Sequence, residues 1–161
     1  MYDALVAFTE SLPAWAHWLG VMLVAAIPFV ESYFGTLIGV LAGVPTVVAV
    51  LAAIAGNVIS MLAFVFAGAG ARRRVLAGRG AGEGEPALSP RQQRFKRMFD
   101  RFGVPGVSLL GQTLLPSQIT SGLMVSFGAD RNQVIVWQIV SIIVWAIAFA
   151  LLGTLGLVAL R

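Results

Sequence analysis

Between Ser11 and Ala71 the chain carries a single formal charge, the carboxylate of Glu31. A run of that length cannot be covered by the polar surface a water-soluble domain needs. It also contains windows that approach or exceed the ~20 apolar residues required to cross a hydrocarbon core of about 30 Å. Composition extends the argument to the rest of the chain: 58% of its 161 residues are hydrophobic and 11% are charged, against roughly a quarter charged in an ordinary soluble domain. The sequence therefore reads as an all-α integral membrane protein. The alternating pattern of an outer-membrane barrel is absent.

The same inventory excludes several chemistries. There is no cysteine, which removes disulfides, thiolate catalysis and Cys-ligated metals. The one histidine, His17, makes no metal cluster by itself. No nucleophile and base pair or phosphate loop can be assembled, so an enzyme is the least favoured class and neither cofactor nor metal is expected. The net charge is +4, but nine of the eleven basic residues lie between Arg72 and Arg101. In a membrane protein such a block marks the cytoplasmic side, which gives a multi-pass protein of the cell (inner) membrane with residues 72–101 in the cytoplasm. Nucleic acid is not an expected partner, because the block is short, adjoins membrane segments and lacks a reading element. The N-terminus MYDALVAFTE has no cationic leader region and is expected to be retained.

Proline and glycine divide the apolar sequence. Residues 1–12 mix Tyr2, Leu5, Val6 and Phe8 with Asp3 and Glu10 and suit a short interfacial helix or turn. Pro13 opens a first transmembrane helix over 13–27, with Trp15 and Trp18 as anchors and His17 as an interfacial side chain between them. Pro28 interrupts it. Phe29 to Val44 would extend about 24 Å as a helix, too short to cross once Glu31 and two prolines are counted, so 28–45 is expected to be a re-entrant hairpin. Its Gly35, Gly39 and Gly43 make a smooth stripe, for which ordinary helix packing is as good an account as a substrate role. Residues 46–70 read as a transmembrane helix ending at Arg72, with Asn57 inside it either as interhelical glue or facing a polar cavity.

Residues 71–90, rich in Gly, Glu, Pro and Arg, read as a flexible cytoplasmic loop. Ser89 and Pro90 supply an N-cap and a first-turn proline for a basic amphipathic helix over 91–102. There Phe95, Met98, Phe99 and Phe102 oppose Arg94, Lys96, Arg97 and Arg101, which suits the bilayer surface, with anionic lipid at 91–101. Residues 103–129 hold no charge, yet Ser108, Gln112, Thr113, Ser117, Gln118, Thr120 and Ser121 gather around Pro116. A lipid-facing helix would not carry these beside a helix-breaking proline, so a second re-entrant hairpin is expected, with its tip near 115–118. Residues 132–160, with Trp137 and Trp145, form the last transmembrane helix.

Residues 28–70 and 111–156 share a plan: a Pro/Gly-interrupted segment, a short turn, then a long apolar helix. Two broken segments in corresponding positions point to a midplane substrate site in secondary transporters. With 72–101 cytoplasmic, the hairpins enter from opposite faces, giving three transmembrane helices and two opposed re-entrant hairpins in an inverted repeat. The run FDRFGVPGVSLLGQTLLPSQITSG, with Phe99, Arg101, Gly103, Val107, Gly111, Pro116 and Gly122, resembles the signature of the DedA (SNARE-associated, VTT) membrane proteins, and Glu31 resembles the acidic residue in their first broken segment. The short length and uncharged second hairpin are most similar to the branch described as small multidrug export proteins. That resemblance implies facing re-entrant hairpins, dependence on the proton-motive force, and roles in lipid-carrier recycling or drug and cation tolerance. The chain departs from the family in lacking arginines around the motif proline, where Gln112, Thr113, Gln118 and Ile119 stand instead, so a phosphate clamp is missing.

The expected function is a proton-coupled transporter. Glu31 exchanges a proton for a small cationic or amphipathic compound, and Asn57, Gln112, Thr113, Pro116, Ser117, Gln118, Thr120 and Ser121 line the path, with Arg101 at its cytoplasmic mouth. One alternative keeps the fold but moves a lipid or undecaprenyl phosphate as a scramblase or carrier flippase. Another is a membrane scaffold without transport. A chain with so few spans admits a homo-oligomer.

Overall fold

Proline and positive-φ residues set the element boundaries. The computed structural model describes residues 1–78, 88–111 and 114–159, and among them every regular element is helical, without strands. Among the described residues seven helices follow in chain order: α1 (Tyr2–Ser11), α2 (His17–Ala25), α3 (Glu31–Leu41), α4 (Thr46–Ala77), α5 (Pro90–Gly111), α6 (Ser117–Ser126) and α7 (Arg131–Ala159), with a 3-10 turn at Ala14–Ala16. By length and composition α4 and α7 are able to cross a membrane, which suggests membrane association.

Where a spanning helix is expected over 13–27, the apolar helical stretch is Ala14–Ala25, shorter than the two helices able to cross; its α-helical part, α2, has nine residues and rises about 14 Å. The chain turns back at 26–30, where Pro28 withholds an N–H and Phe29 and Glu31 adopt positive φ. The segment after Pro28 is then one arm, not a whole hairpin. α3 runs antiparallel to α2, since a Cβ on Gly35 would stand 2.6 Å from Ala25 Cβ and one on Gly39 2.8 Å from Val21 Cγ2. The first hairpin therefore comprises α2, the turn 26–30 and α3, so the apolar segment before Pro28 is its first arm. Gly35 and Gly39 serve packing, whereas Gly43 meets nothing within 4 Å.

Two further boundaries move. α4 continues through Arg72–Arg74 to Ala77, beyond the expected end at 70, while residues 79–87 of the expected loop 71–90 lie outside the described residues. α5 begins with a reciprocal capping box, in which Gln92 N–H donates to Ser89 Oγ at 3.3 Å and Ser89 N–H donates to Gln92 Oε1 at 2.9 Å. It is broken at Gly103 (φ 62°, ψ −171°), a backbone state reserved for glycine. The basic segment 90–102 is thereby separated from 104–111.

The chain divides into two compact units, Met1–Met61 with Ile139–Arg161, and Leu62–Gln138. The first holds α1, the α2–α3 hairpin and parts of α4 and α7. Its core comprises Val21, Ala25, Val40, Val44, Ala49, Ala52 and Ala53, with Val24, Val30 and Ile38 as a second cluster under Leu5, Val6 and Phe34. The second unit holds the rest of α4 and α7 with α5 and α6. There the basic segment docks through buried Phe95, whose ring lies 5.9 Å from that of Phe127, leaving its charges exposed.

The second arms of the two hairpins end alike. α3 ends with Val44 N–H donating to Gly39 O (2.9 Å) and Gly43 N–H to Val40 O (3.1 Å), and α6 ends with Ala129 N–H donating to Met124 O (3.0 Å) and Gly128 N–H to Val125 O (3.0 Å). Both are Schellman caps closed by a glycine at positive φ, 75° and 102°. Gly128 follows Gly43 by 85 residues, and the same shift relates two helix contacts. A Cβ on Gly153 of α7 would meet Leu37 Cδ1 of α3 at 3.0 Å, and one on Gly68 of α4 would meet the Gly122 carbonyl oxygen of α6 at 2.5 Å. α3 thus packs on α7, and α6 on α4.

Candidate functional site

Glu31 opens α3, and it is the one charged side chain among the described residues that is buried, at 0% exposure. Its backbone is unusual. Glu31 (φ 56°) and, two residues before it, Phe29 (φ 72°) are the two non-glycine residues at positive φ among those described, a conformation that costs on the order of 1–3 kcal/mol each. Such strain persists only where the surroundings over-determine it. Here they do: Ser60 Oγ of α4 donates to Ala26 O in the turn (2.8 Å), and Ser32 Oγ donates to Ile142 O of α7 (3.0 Å). At the first turn of α3 the carboxylate also gains from the helix dipole.

Other polar groups in this unit are equally enclosed. Asn57 is fully buried in α4, and Thr36, on α3, is buried with no hydrogen-bond partner for its hydroxyl among the described residues. Each of Glu31 and Asn57 takes part in interactions within the fold. His17 Nε2 donates to Leu12 O at 3.0 Å, which ties α2 to the end of α1 and occupies one ring nitrogen in structure.

In the other unit Pro116 precedes α6 as its N-cap, and Ser117, Gln118, Thr120 and Ser121 on the first turns are all fully buried. Thr120 Oγ1 lies within 3.2 Å of Pro116 O and 3.1 Å of Ser117 O, and Ser121 Oγ donates to Gln118 O at 2.9 Å. Both are turned into their own helix. Ser117 and Gln118 make only a long contact with each other, at 3.5 Å, and both engage in further interactions. Gln112 and Thr113 lie outside the described residues. Arg101 is exposed just before the Gly103 break, its guanidinium 5.1 Å from the Phe102 ring.

Sequence reasoning missed one member of this cluster. Gln138 of α7 is fully buried and its Nε2 donates to Thr120 Oγ1 at 3.0 Å. Ser141, three residues on and also buried, shares its helix face. The signal was present, since polar residues spaced by one helical turn inside an otherwise apolar helix point to a protein-facing stripe. The structure thus places Glu31 and Asn57 in one unit and Pro116, Ser117, Gln118, Thr120, Ser121 and Arg101 in the other. Chemically the first offers a carboxylate able to carry a proton or hold a cation, and the second offers uncharged amide and hydroxyl groups. No family model, curated protein or solved structure matches the chain.

Proposed function

We propose that this chain is a DedA-like membrane transporter that exports small cationic or amphipathic compounds in exchange for protons. In this reading α4 and α7 span the bilayer, the α2–α3 and α5–α6 hairpins are re-entrant, and the basic segment 90–102 lies on the cytoplasmic surface against anionic lipid. The supporting observation is Glu31: a buried carboxylate held in strained backbone, at the turn of a hairpin whose arms have nine and eleven residues, each too short to span. An intramembrane acid is expensive, and its default role is to handle a proton or a cation. Buried Ser117 and Gln118 supply uncharged polar surface on the second hairpin, as a path that must release a cation requires.

The test is efflux from proteoliposomes under an imposed pH gradient. Glu31→Gln is expected to lower gradient-driven efflux by about tenfold or more while leaving downhill leak unchanged. Undiminished, gradient-dependent efflux would remove Glu31 from the proton path. Movement of a lipid probe in the same vesicles, with no efflux of cationic compounds, would replace this function by lipid translocation.

A further inference from the structure

Arginines from two helices flank the turn that joins α6 to α7. Arg72 of α4 donates from Nη1 to Ser126 O at 3.1 Å, and its guanidinium lies so close to the turn that a Cβ on Gly128 would stand 2.6 Å from Nη1. Arg131 opens α7 three residues after Gly128, so its Cα lies within about 11 Å of the Gly128 Cα. Its guanidinium sits 5.5 Å from the Phe66 ring of α4. These residues all belong to one compact unit.

Neither cation is satisfied within the fold. Asp130, the acid beside them, accepts the Gln133 N–H at 2.8 Å as the cap of α7. The ion pair among the described residues is Lys96 with Asp100, so Asp130 neutralises neither arginine at contact distance. Arg72 commits one of its five N–H donors, and Arg131 donates no hydrogen bond to a described residue. Arg131 also stands at the positive end of the α7 dipole, where a cation is disfavoured unless an anion answers it. The surroundings favour an amphiphile over a soluble anion. Phe66, beneath the Arg131 guanidinium, is 54% exposed, so positive charge and bare ring are presented together. With α4 and α7 across the bilayer, the uncharged part of α4 ends at Arg72 and α7 begins at Arg131, which brings both to the level of the lipid phosphates.

We propose that Arg72 and Arg131 together bind the phosphate of an anionic phospholipid of the surrounding leaflet, with an acyl chain running along exposed Phe66. This rests on the reading of α4 and α7 as spanning helices, and it assigns a lipid partner to residues outside the basic segment 90–102. A phosphate held by both guanidinium groups ties α4 to the start of α7 and stabilises the turn between α6 and α7.

The experiment is native mass spectrometry of the full chain in non-ionic detergent, titrated with phosphatidylglycerol and, for comparison, with phosphatidylcholine and inorganic phosphate. A saturable phosphatidylglycerol adduct is expected, with phosphatidylcholine at least about fivefold weaker. Inorganic phosphate at equal concentration should not displace it. Arg131→Gln breaks no hydrogen bond within the described fold and should weaken the adduct about fivefold, and Arg72→Gln should weaken it by a similar factor. Phe66→Ala alters an exposed ring and should weaken it about threefold through lost apolar contact. The pair Arg94→Gln with Arg97→Gln, on the basic segment, should change it less than about twofold. Equal binding of the two lipids, unchanged affinity in Arg131→Gln, or displacement by inorganic phosphate overturns the site. A loss in the Arg94 and Arg97 pair as large as that in Arg131→Gln also overturns it, by giving the lipid to the basic segment. Should phosphatidylglycerol show no preference while Glu31-dependent efflux persists, this inference falls and the transport reading stands. Should the lipid bind as expected without any gradient-driven efflux, the lipid site stands and the transport reading falls.

Discussion

The two hairpins have one backbone plan and two chemistries. Both end in a Schellman cap with a positive-φ glycine, and each lays its second arm on a long helix, α3 on α7 and α6 on α4. At the turn they part: the register that pairs Gly43 with Gly128 pairs Glu31 with Pro116, and buried Ser32 with buried Ser117. One hairpin places a carboxylate where the other places a helix-initiating proline. The same backbone geometry thus carries different side chains at corresponding positions. The first turn carries backbone strain at Phe29 and Glu31, whereas no described residue of the second turn is at positive φ.

That comparison is open to measurement, most severely at the helix contacts. Gly68→Val places a Cβ 2.5 Å from a backbone oxygen, while at the corresponding Gly153 a Cβ meets only the end of Leu37 at 3.0 Å. The first should cost about 3 kcal/mol or more, and Gly153→Ala less than about 1 kcal/mol, read as thermal midpoints in detergent. Equal costs would mean that the repeated contacts are not differently packed.

The caps come next. Gly43→Ala should cost about 1–2 kcal/mol for positive φ alone. Gly128→Ala should cost more, because its Cβ would sit 2.6 Å from Arg72 Nη1. A double-mutant cycle with Arg72→Ala should recover the excess at Gly128 and nothing at Gly43. A coupling at Gly43 would contradict the geometry.

Smaller still is the strain at the first turn. Phe29 is exposed and its side chain contributes little, so Phe29→Gly should raise stability by up to about 1 kcal/mol with efflux intact. A lower midpoint would show that no strain is stored there. Smallest is Arg72→Ala alone, which removes the 3.1 Å bond from Nη1 to Ser126 O at the end of α6 and should cost about 0.5–1 kcal/mol.

Much of the framework was legible in the sequence. Ser89-Pro90 announced a capped helix, Gly103 a boundary, and the charge-free runs 46–70 and 132–160 a long helix each, because capping, φ restriction and apolar length are local properties. The hairpin around Glu31 was legible only in part. An apolar run before Pro28 reads equally as a spanning helix or as the first arm of a hairpin, and the choice depends on Gly35 closing onto Ala25, a contact between segments. Gln138 escaped for the same reason. One amide in an apolar helix gains meaning only when a partner such as Thr120 is seen beside it.

The sequence alone makes this chain helical, gives the apolar runs 46–70 and 132–160 the length to cross a bilayer, and leaves Glu31 as the one charge between Ser11 and Ala71. Hydrophobic run length, proline placement and charge count require no knowledge of neighbours. Tertiary packing alone buries Glu31 completely in left-handed backbone, pairs α2 with α3, and brings aromatic rings of α1, α3 and α7 against one another. Those are outcomes of packing between residues as distant as Tyr33 and Phe149, and no local pattern carries them.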